Sequence, residues 1–256
     1  MSLLVVKELS KHYSGVTAVS QLSFAVKPGI IKSVIGPNGA GKTTLINLIT
    51  GFIQPSQGSI VFEGRPLAGL KPHQVAARGL ARTFQTVELF SHLSVWENVM
   101  VGCHLQSGKG LLSSALRLPG VGREEREIRQ RALAVLEQVG LAHQARKQAG
   151  SLPLGEQKLL EVARALAGEP KLLLLDEPAA GLNEKETRRA AEMIRGIRDQ
   201  GTTIILVEHD MKMVMSISDE ILVINFGSKI AEGRPRRIKR DPRVIEAYLG
   251  GEDQYA

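Results

Sequence analysis

A run of residues in the first fifth of the chain has the types and spacing of a loop that binds phosphate. It fits the pattern G-x-x-x-x-G-K-[ST] and reads Gly36, Pro37, Asn38, Gly39, Ala40, Gly41, Lys42 and Thr43. The apolar stretch Ile30–Ile35 precedes it and the apolar-periodic segment Thr44–Thr50 follows it, which predicts a strand, the loop and a helix in that order. Such a loop points backbone N–H groups at phosphate oxygens, at the positive end of the helix dipole. Lys42 would add a positive charge, and Thr43 a hydroxyl ligand for Mg²⁺.

Two consecutive acidic residues follow a second apolar segment. Residues 172–175 are all leucine, and Asp176 and Glu177 come directly after them. A central parallel strand buried on both faces has this composition, and its carboxyl end opens onto the ligand crevice. There Asp176 would hold Mg²⁺, and Glu177 would polarise an attacking water as general base. An acidic turn after a strand is common without any function, but the phosphate-binding pattern in the same chain favours a functional role for these two acids.

The elements that must position these residues follow the pattern of an α/β fold. Short β-branched runs in the first quarter are separated by turn residues, which predicts antiparallel strands around a first α/β unit. These runs are Leu3–Leu9, Leu22–Val26, Ile30–Ile35 and Ser59–Phe62.

The middle of the chain, about 104–169, is predicted to be rich in helix. It opens with the Gly-Ser run Ser107–Gly110, which is typical of a loop or linker. From Arg123 to Val139 the apolar residues fall on one stripe, and Gly140 stands where a helix C-cap belongs. We therefore expect a helical lobe, over about 90–165, inserted into an α/β nucleotide-binding core.

Strand and helix alternate again in the last third. Asn183–Gln200 is predicted as a helix that Asn183 caps together with Glu186. Thr202–Glu208 is predicted as the next strand, and a hairpin is expected to turn at Gly227 and Ser228. The whole chain, 1–256, is interpreted as one ATP-binding domain that ends in a tail over about 234–256.

Composition excludes several other classes of protein. The 256 residues are 43% hydrophobic and 23% charged, as in ordinary soluble globular proteins, and no apolar run approaches the roughly 18–20 residues of a membrane span. Acidic Glu8 comes too early for a signal peptide, and the single Cys103 excludes an internal disulfide. The net charge of +7 draws partly on the basic stretch Arg234–Arg240, which we interpret as a solvated surface, with lipid headgroups or an acidic partner loop as the alternative. No pattern supports binding to nucleic acid.

Further residues make the chain resemble the ATP-binding-cassette (ABC) superfamily over nearly its whole length. Tyr13 matches the aromatic residue that stacks on adenine in that family. Gln85 matches the glutamine that joins Mg²⁺ and the attacking water to the membrane-domain contact, and His209 matches the histidine that holds the γ-phosphate. Gly155 and Glu156 lie where the family's signature segment belongs. Taken singly, Tyr13, Gln85 and His209 would ordinarily be interpreted as a packing residue, a surface residue and a core residue. The order and spacing of the three in the chain overturn that interpretation.

The resemblance implies a P-loop NTPase (RecA-like) core with an N-terminal antiparallel β subdomain and an inserted α-helical subdomain. It also adds Thr44 to the nucleotide-binding residues and makes Ala179–Asn183 the loop that crosses to a partner subunit. Two such subunits sandwich two ATP molecules, each between one chain's phosphate loop and the other chain's signature helix. Closure on ATP then moves the attached membrane domains. The implied partners are two membrane permease subunits, a homologous ATP-binding subunit or a second copy, and indirectly a substrate-binding protein, at the cytoplasmic face of the membrane.

Several runs are similar to the larger ATP-binding subunit of branched-chain amino acid importers. They are residues 79–85, 93–99, 207–215 and 241–250. Relatives that carry urea, amides or aromatic acids look much alike, so the cargo stays open. Two alternatives are a soluble ABC ATPase of DNA repair or translation, which predicts paired cassettes or a long coiled coil, and a lipopolysaccharide-export ATPase. The segment after Gln85, with Phe90 and Trp96, is expected to receive a cytoplasmic helix of the permease, although Trp96 equally fits a core position.

The signature segment departs from the family pattern. Pro153 stands where the family has a serine whose hydroxyl reaches the partner's γ-phosphate, while Gly155 and the helix N-terminus remain. A hydrogen bond to a charged group contributes roughly 1.5–3 kcal/mol. We therefore expect unequal ATP sites, with the impaired site being the one that uses this chain's signature, and a homologous rather than identical partner. A second departure is Asn183, which stands in the crossing loop where many relatives carry Asp. The effect of this difference is left open.

Overall fold

The computed structural model describes residues 1–103 and 121–249, and the strands among them form two sheets. The first sheet is antiparallel, in the order β2-β1-β4-β5, and consists of β1 (Leu4–Tyr13), β2 (Val16–Val26), β4 (Gln57–Phe62) and β5 (Arg65–Pro66). The second sheet, in the order β10-β9-β3-β8-β7-β6, consists of β3 (Ile31–Ile35), β6 (Leu80–Arg82), β7 (Leu172–Asp176), β8 (Thr203–Val207), β9 (Glu220–Asn225) and β10 (Ser228–Gly233). Its strands are parallel except for β10, which pairs antiparallel with β9 as the predicted hairpin. The α/β fold with an N-terminal antiparallel sheet is confirmed.

Most of the helices occur, in sequence order, between strands β3 and β9 of the second sheet. They are α1 (Lys42–Ile49), α2 (Pro72–Ala77), α3 (Val95–Cys103), α4 (Val121–Gln138), α5 (Leu154–Leu166), α6 (Glu184–Asp199), α7 (Met211–Ile217), α8 (Pro235–Ile238) and α9 (Pro242–Leu249). Helices α3, α4 and α5 separate β6 from β7 in sequence, which is the part of the chain where the helical lobe is expected. That these helices form a separate lobe stays a prediction. The predicted Gly-Ser linker Ser107–Gly110 lies outside the described residues.

The leucine run has the two-sided burial expected of a central strand. Leu172 and Leu174 pack with the antiparallel sheet and α1, whereas Leu173 and Leu175 pack with the helices on the opposite face. All four side chains are fully buried. Since side chains alternate along a strand, only a strand covered on both faces can bury every residue of such a run.

Helix α6 begins as its sequence predicts. The Asn183 side chain accepts hydrogen bonds from the backbone N–H groups of Lys185 and Glu186, and the Glu186 carboxylate accepts one from the Asn183 N–H, each at 3.0 Å. This capping box satisfies N–H groups that have no partner inside the helix. Asp supports the same cap, so Asn and Asp are equivalent at position 183 for the start of α6.

Strands β1 and β2 are longer than predicted, and several short elements were missed. The pairing of β1 with β2 shifts register beyond Val6, where Glu8 and Gln21 adopt positive φ angles of 47° and 46°. These irregularities interrupt the period-two pattern by which a strand is recognised from sequence. Strand β6 and helices α2 and α7 are too short to give a clear periodicity.

Candidate functional site

The carboxyl ends of four neighbouring strands bring the predicted residues to one edge of the second sheet. The phosphate loop follows β3, Gln85 follows β6, Asp176 ends β7, and His209 follows β8. Strand order, rather than sequence separation, therefore places residues from four parts of the chain side by side. This edge is where parallel α/β sheets bind ligands.

The phosphate loop needs its glycines for conformation and for close packing. Gly39 and Gly41 have φ angles of 78° and 98°, which side chains rarely tolerate. A Cβ built on Gly41 would lie 2.3 Å from the carbonyl oxygen of Ala18 on β2. Helix α1 begins directly after Gly41, so its first N–H groups face the loop as an anion site requires. Thr43 is exposed and Thr44 half-buried in its first turn.

Lys42 is buried and held over the loop that precedes it. Its Nζ donates to the carbonyl oxygens of Gly36 at 2.7 Å and Pro37 at 2.9 Å. Burial lowers the pKa of Lys42, and the negative charges of Glu177 and Asp176 oppose this shift. The ammonium group is thus bound to the phosphate loop and lies within reach of the charges of Asp176 and Glu177.

Glu177 is the centre of the hydrogen-bonded cluster. Its Oε1 lies 2.6 Å from Nε2 of His209, and its Oε2 accepts a hydrogen bond of 3.0 Å from Nε2 of Gln85. Burial raises the pKa of Glu177, but the hydrogen bonds from His209 and Gln85 and the nearby positive charge of Lys42 outweigh burial and leave it lowered. The carboxylate is therefore ionised at neutral pH, as a proton acceptor must be.

The backbone of Glu177 is in a conformation that its surroundings must enforce. Its φ angle is 52°, in the left-handed region, and its N–H donates to the carbonyl oxygen of Val207 at 2.9 Å. Residues other than glycine adopt this conformation infrequently and persist in it only where the surrounding structure holds them, as the Val207 carbonyl does here.

Asp176 lies deeper than Glu177 and forms an ion pair. Its Oδ2 lies 3.0 Å from Nη2 of Arg82, and its backbone N–H donates to the Thr83 hydroxyl at 3.3 Å. Burial raises the pKa of Asp176, and the charge of Arg82 opposes that rise.

The donor atoms near the phosphate loop fit Mg²⁺. Thr43, Gln85 and Asp176 offer a hydroxyl, an amide oxygen and a carboxylate, the hard oxygen donors that Mg²⁺ prefers. Among the described residues, no group of three or more His, Cys, Asp or Glu side chains could hold a metal by itself. Magnesium bound through one carboxylate and substrate phosphates needs no such group.

Two predicted parts of the site lie apart from this cluster. Tyr13 ends β1 with 43% exposure, and Nζ of Lys11 lies 5.1 Å from its ring centroid. Gly155 and Glu156 open α5, with Pro153 at the N-cap and no side-chain hydrogen bond to the first turn. Within the described residues, no side-chain hydrogen bond or ion pair joins these groups to the Glu177 cluster.

Several buried polar residues around the site were not found from the sequence. Arg82 pairs with Asp176, and Glu208 accepts a hydrogen bond from the backbone N–H of Ala179 at 2.6 Å. Lys158 donates to the carbonyl oxygen of Glu177, and Glu161 accepts from the N–H of the residue before Gln85. The one available signal is in α5, where Lys158 and Glu161 fall among buried apolar residues of an amphipathic helix.

Comparison with known proteins identifies ABC transporters as the relatives of this chain. The family model described as ABC transporter matches residues 19–180, and that described as branched-chain amino acid ATP-binding cassette transporter matches residues 228–254. The chain is 47% identical over 249 residues to the high-affinity branched-chain amino acid transport ATP-binding protein LivG of Salmonella typhimurium, covering 97% of this chain and 98% of that protein. It is 44% identical, with the same coverage, to the corresponding protein BraF of Pseudomonas aeruginosa.

A solved structure agrees with these sequence relatives. The ADP conformation of MJ1267, an ATP-binding cassette of an ABC transporter, superposes with a TM-score of 0.85 at 32% identity, covering 98% of this chain and 99% of that one. The phosphate loop and the acidic end of β7 indicate the same family as this similarity, which extends over nearly the full length. The chain belongs to the ATP-binding subunits of ABC transporters.

Proposed function

We propose that the chain hydrolyses ATP to energise the uptake of branched-chain or related amino acids through separate membrane permease subunits. The observation that carries the catalytic part is the position of Glu177 between Gln85 and His209, beside the phosphate-loop lysine. The amino acid class is supported by the match at residues 228–254 and by the names of the relatives. Neither DNA repair, translation nor lipopolysaccharide export has comparable support.

In the proposed reaction, the loop from Gly36 to Thr43 binds the phosphates of ATP and Tyr13 stacks on the adenine. Glu177 accepts a proton from a water molecule while the oxygen of that water attacks the γ-phosphorus. The bond between the γ-phosphorus and the β-phosphate oxygen breaks, which gives ADP and phosphate. Mg²⁺, held by Thr43, Gln85 and Asp176, would neutralise charge on the phosphates.

His209 and Lys42 complete the proposed catalytic roles. The hydrogen bond from His209 to Glu177 orients the carboxylate, and the imidazole is placed to contact the γ-phosphate once nucleotide is bound. Lys42 supplies positive charge where negative charge develops in the transition state.

The first turn of α5 is proposed to face the ATP bound by a partner subunit. Gly155 and the helix dipole support an anion there, but Pro153 provides neither a hydroxyl nor a backbone N–H. The site completed by this chain's signature should therefore turn over more slowly than the other. Replacing the phosphate-loop lysine of each subunit in turn tests this asymmetry, and equal losses of activity would contradict it.

A groove beside the site suits a helix of the permease. It has a volume of about 1100 Å³, and its lining combines charged residues with apolar ones that include Phe52, Phe84, Phe90 and Val101. Among the described residues, none of the helices combines the length and the apolar character of a membrane span. The names of the relatives support a position beside membrane permease subunits, which we propose to be two in number and to hold this chain at the cytoplasmic face. Trp96 lies outside this lining and packs, partly buried, against the helical side of the core, which favours the core interpretation for it.

Reconstitution tests the proposal. The chain would be copurified with its permease partners, placed in liposomes, and supplied with the substrate-binding protein and radiolabelled leucine, isoleucine or valine. We expect ATP-dependent accumulation of label that Lys42→Ala in this chain reduces sharply. Accumulation of urea but of no branched-chain amino acid would overturn the cargo class, and uptake indifferent to Lys42→Ala would overturn the role of this chain.

A further inference from the structure

Helix α5 carries two charged residues to which the proposed chemistry assigns no role. Lys158 and Glu161 lie one helical turn apart and are only 8% and 4% exposed. A buried charge is unfavourable unless it is paired or hydrogen-bonded. The groups that compensate these two charges therefore indicate what the residues do.

Lys158 binds the backbone of the proposed general base. Its Nζ donates to the carbonyl oxygen of Glu177 at 2.9 Å. Burial lowers the pKa of Lys158, and the negative charges of Glu208, Glu161 and Glu177 oppose that shift. Because Glu177 has a positive φ angle, a donor on its carbonyl helps to hold the peptide in the conformation that directs the carboxylate toward Gln85 and His209.

Glu161 binds the backbone on the other side of the same cluster. Its Oε1 accepts the N–H of Phe84 at 3.0 Å. Phe84 directly precedes Gln85, whose side chain donates to Glu177. One helix thus holds the backbone at both ends of the Gln85–Glu177 hydrogen bond.

We propose that Lys158 and Glu161 are positioning residues for ATP hydrolysis, which transmit movement of α5 to the relative position of Gln85 and Glu177. This inference rests on the catalytic role proposed above for Glu177. The first turn of α5 is proposed to face the partner's ATP, so the same helix would link occupancy of one ATP site to the geometry of the other. The link consists of two hydrogen bonds, and each can be removed separately.

Two pairs of matched variants test the proposal. Lys158→Met removes the donor to Glu177 while Lys158→Gln keeps an N–H, and Glu161→Leu removes the acceptor for Phe84 while Glu161→Gln keeps an oxygen. Misplacing catalytic groups by about 1 Å lowers rates by up to about 100-fold. We expect Lys158→Met and Glu161→Leu to lower kcat by roughly 10- to 100-fold with KM for ATP nearly unchanged, and both Gln variants to retain most activity.

Hydrogen exchange of the full chain without nucleotide supplies a readout that does not depend on turnover. We expect Glu161→Leu to accelerate exchange at residues 83–86 and Lys158→Met at 176–178, with the rest of the core unchanged. Equal losses of kcat within each matched pair, or losses that follow a general fall in stability, would overturn the positioning role. Glu177→Gln, assayed in parallel, distinguishes a failure of the positioning role from a failure of the catalytic assignment of Glu177. If it is inactive while Lys158→Met is fully active, only the positioning role fails, whereas wild-type turnover by Glu177→Gln refutes the catalytic assignment itself.

Discussion

Arg82 and Asp176 form a buried ion pair whose disruption should be costly. The two side chains are 10% and 4% exposed, and Arg82 also donates to Oδ1 of Asn47 and lies over the rings of Phe52 and Phe84. Removing one partner of a buried pair leaves an uncompensated charge and costs about 3–5 kcal/mol. We therefore expect Arg82→Met to lower the free energy of unfolding at pH 7 by about 3–5 kcal/mol.

A double-mutant cycle isolates the contribution of this pair. Urea unfolding would be measured for Arg82→Met, Asp176→Asn and the double variant, since the Asn side chain carries no charge to be compensated. We expect the double variant to be more stable than the sum of the single effects predicts, by about 2 kcal/mol or more. Additivity within about 0.5 kcal/mol would refute the reasoning.

The stability deficit of Arg82→Met, meaning its loss of unfolding free energy relative to the wild type, should depend on pH. Burial raises the pKa of Asp176 even with Arg82 present, and removing the cation should raise it further. A carboxyl whose pKa is raised on folding stabilises the protein below its unfolded pKa and loses that effect as the pH rises through the folded pKa. The deficit of Arg82→Met relative to the wild type should therefore be largest near neutral pH and shrink on acidification. A deficit that grows on acidification would contradict this assignment.

Three further predictions concern other parts of the chain. Tyr13→Ala should weaken ATP binding by about 1–3 kcal/mol while Tyr13→Phe retains it, and an unchanged dissociation constant for Tyr13→Ala would exclude stacking. Asn183→Ala should lower the free energy of unfolding by about 0.5–2 kcal/mol, whereas Asn183→Asp should leave it nearly unchanged in the same urea titration. Burial raises the pKa of Glu232, but hydrogen bonds from Lys32 and Lys229 outweigh burial and leave the pKa lowered. Glu232→Gln should therefore be less stable than wild type at neutral pH, and the difference should narrow as the pH falls below the ordinary pKa of a glutamate; a constant difference would argue against the pKa shift.

Part of the proposed site was accessible from sequence because its signals are local, whereas Gln85 and His209 were identified only through the family resemblance. The phosphate loop, the leucine run ending at Glu177 and the capping box of Asn183 are each defined within a few neighbouring residues. In the structure, the negative charges of Asp176 and Glu177 act on the Lys42 ammonium, so the two local patterns fall in one site.

The supporting residues were inaccessible for the opposite reason. Arg82 and Asp176 are 94 positions apart, and Lys158 reaches Glu177 only because α5 packs beside β6 and β7. Such contacts depend on the order of strands in the sheet and on helix placement, which hydrophobic periodicity does not specify. The same limit applies to Trp96, whose spacing fitted both a core position and a docking groove.

The measurement that tests the central claim most directly is ATP turnover by the wild-type chain and by Glu177→Gln, with ATP binding followed in parallel. General base catalysis contributes about 10²- to 10⁴-fold to a rate. We expect Glu177→Gln to bind ATP as tightly as the wild type and to lower turnover by at least about 100-fold. Turnover at the wild-type rate with unchanged ATP binding would contradict the assignment of Glu177 as the general base.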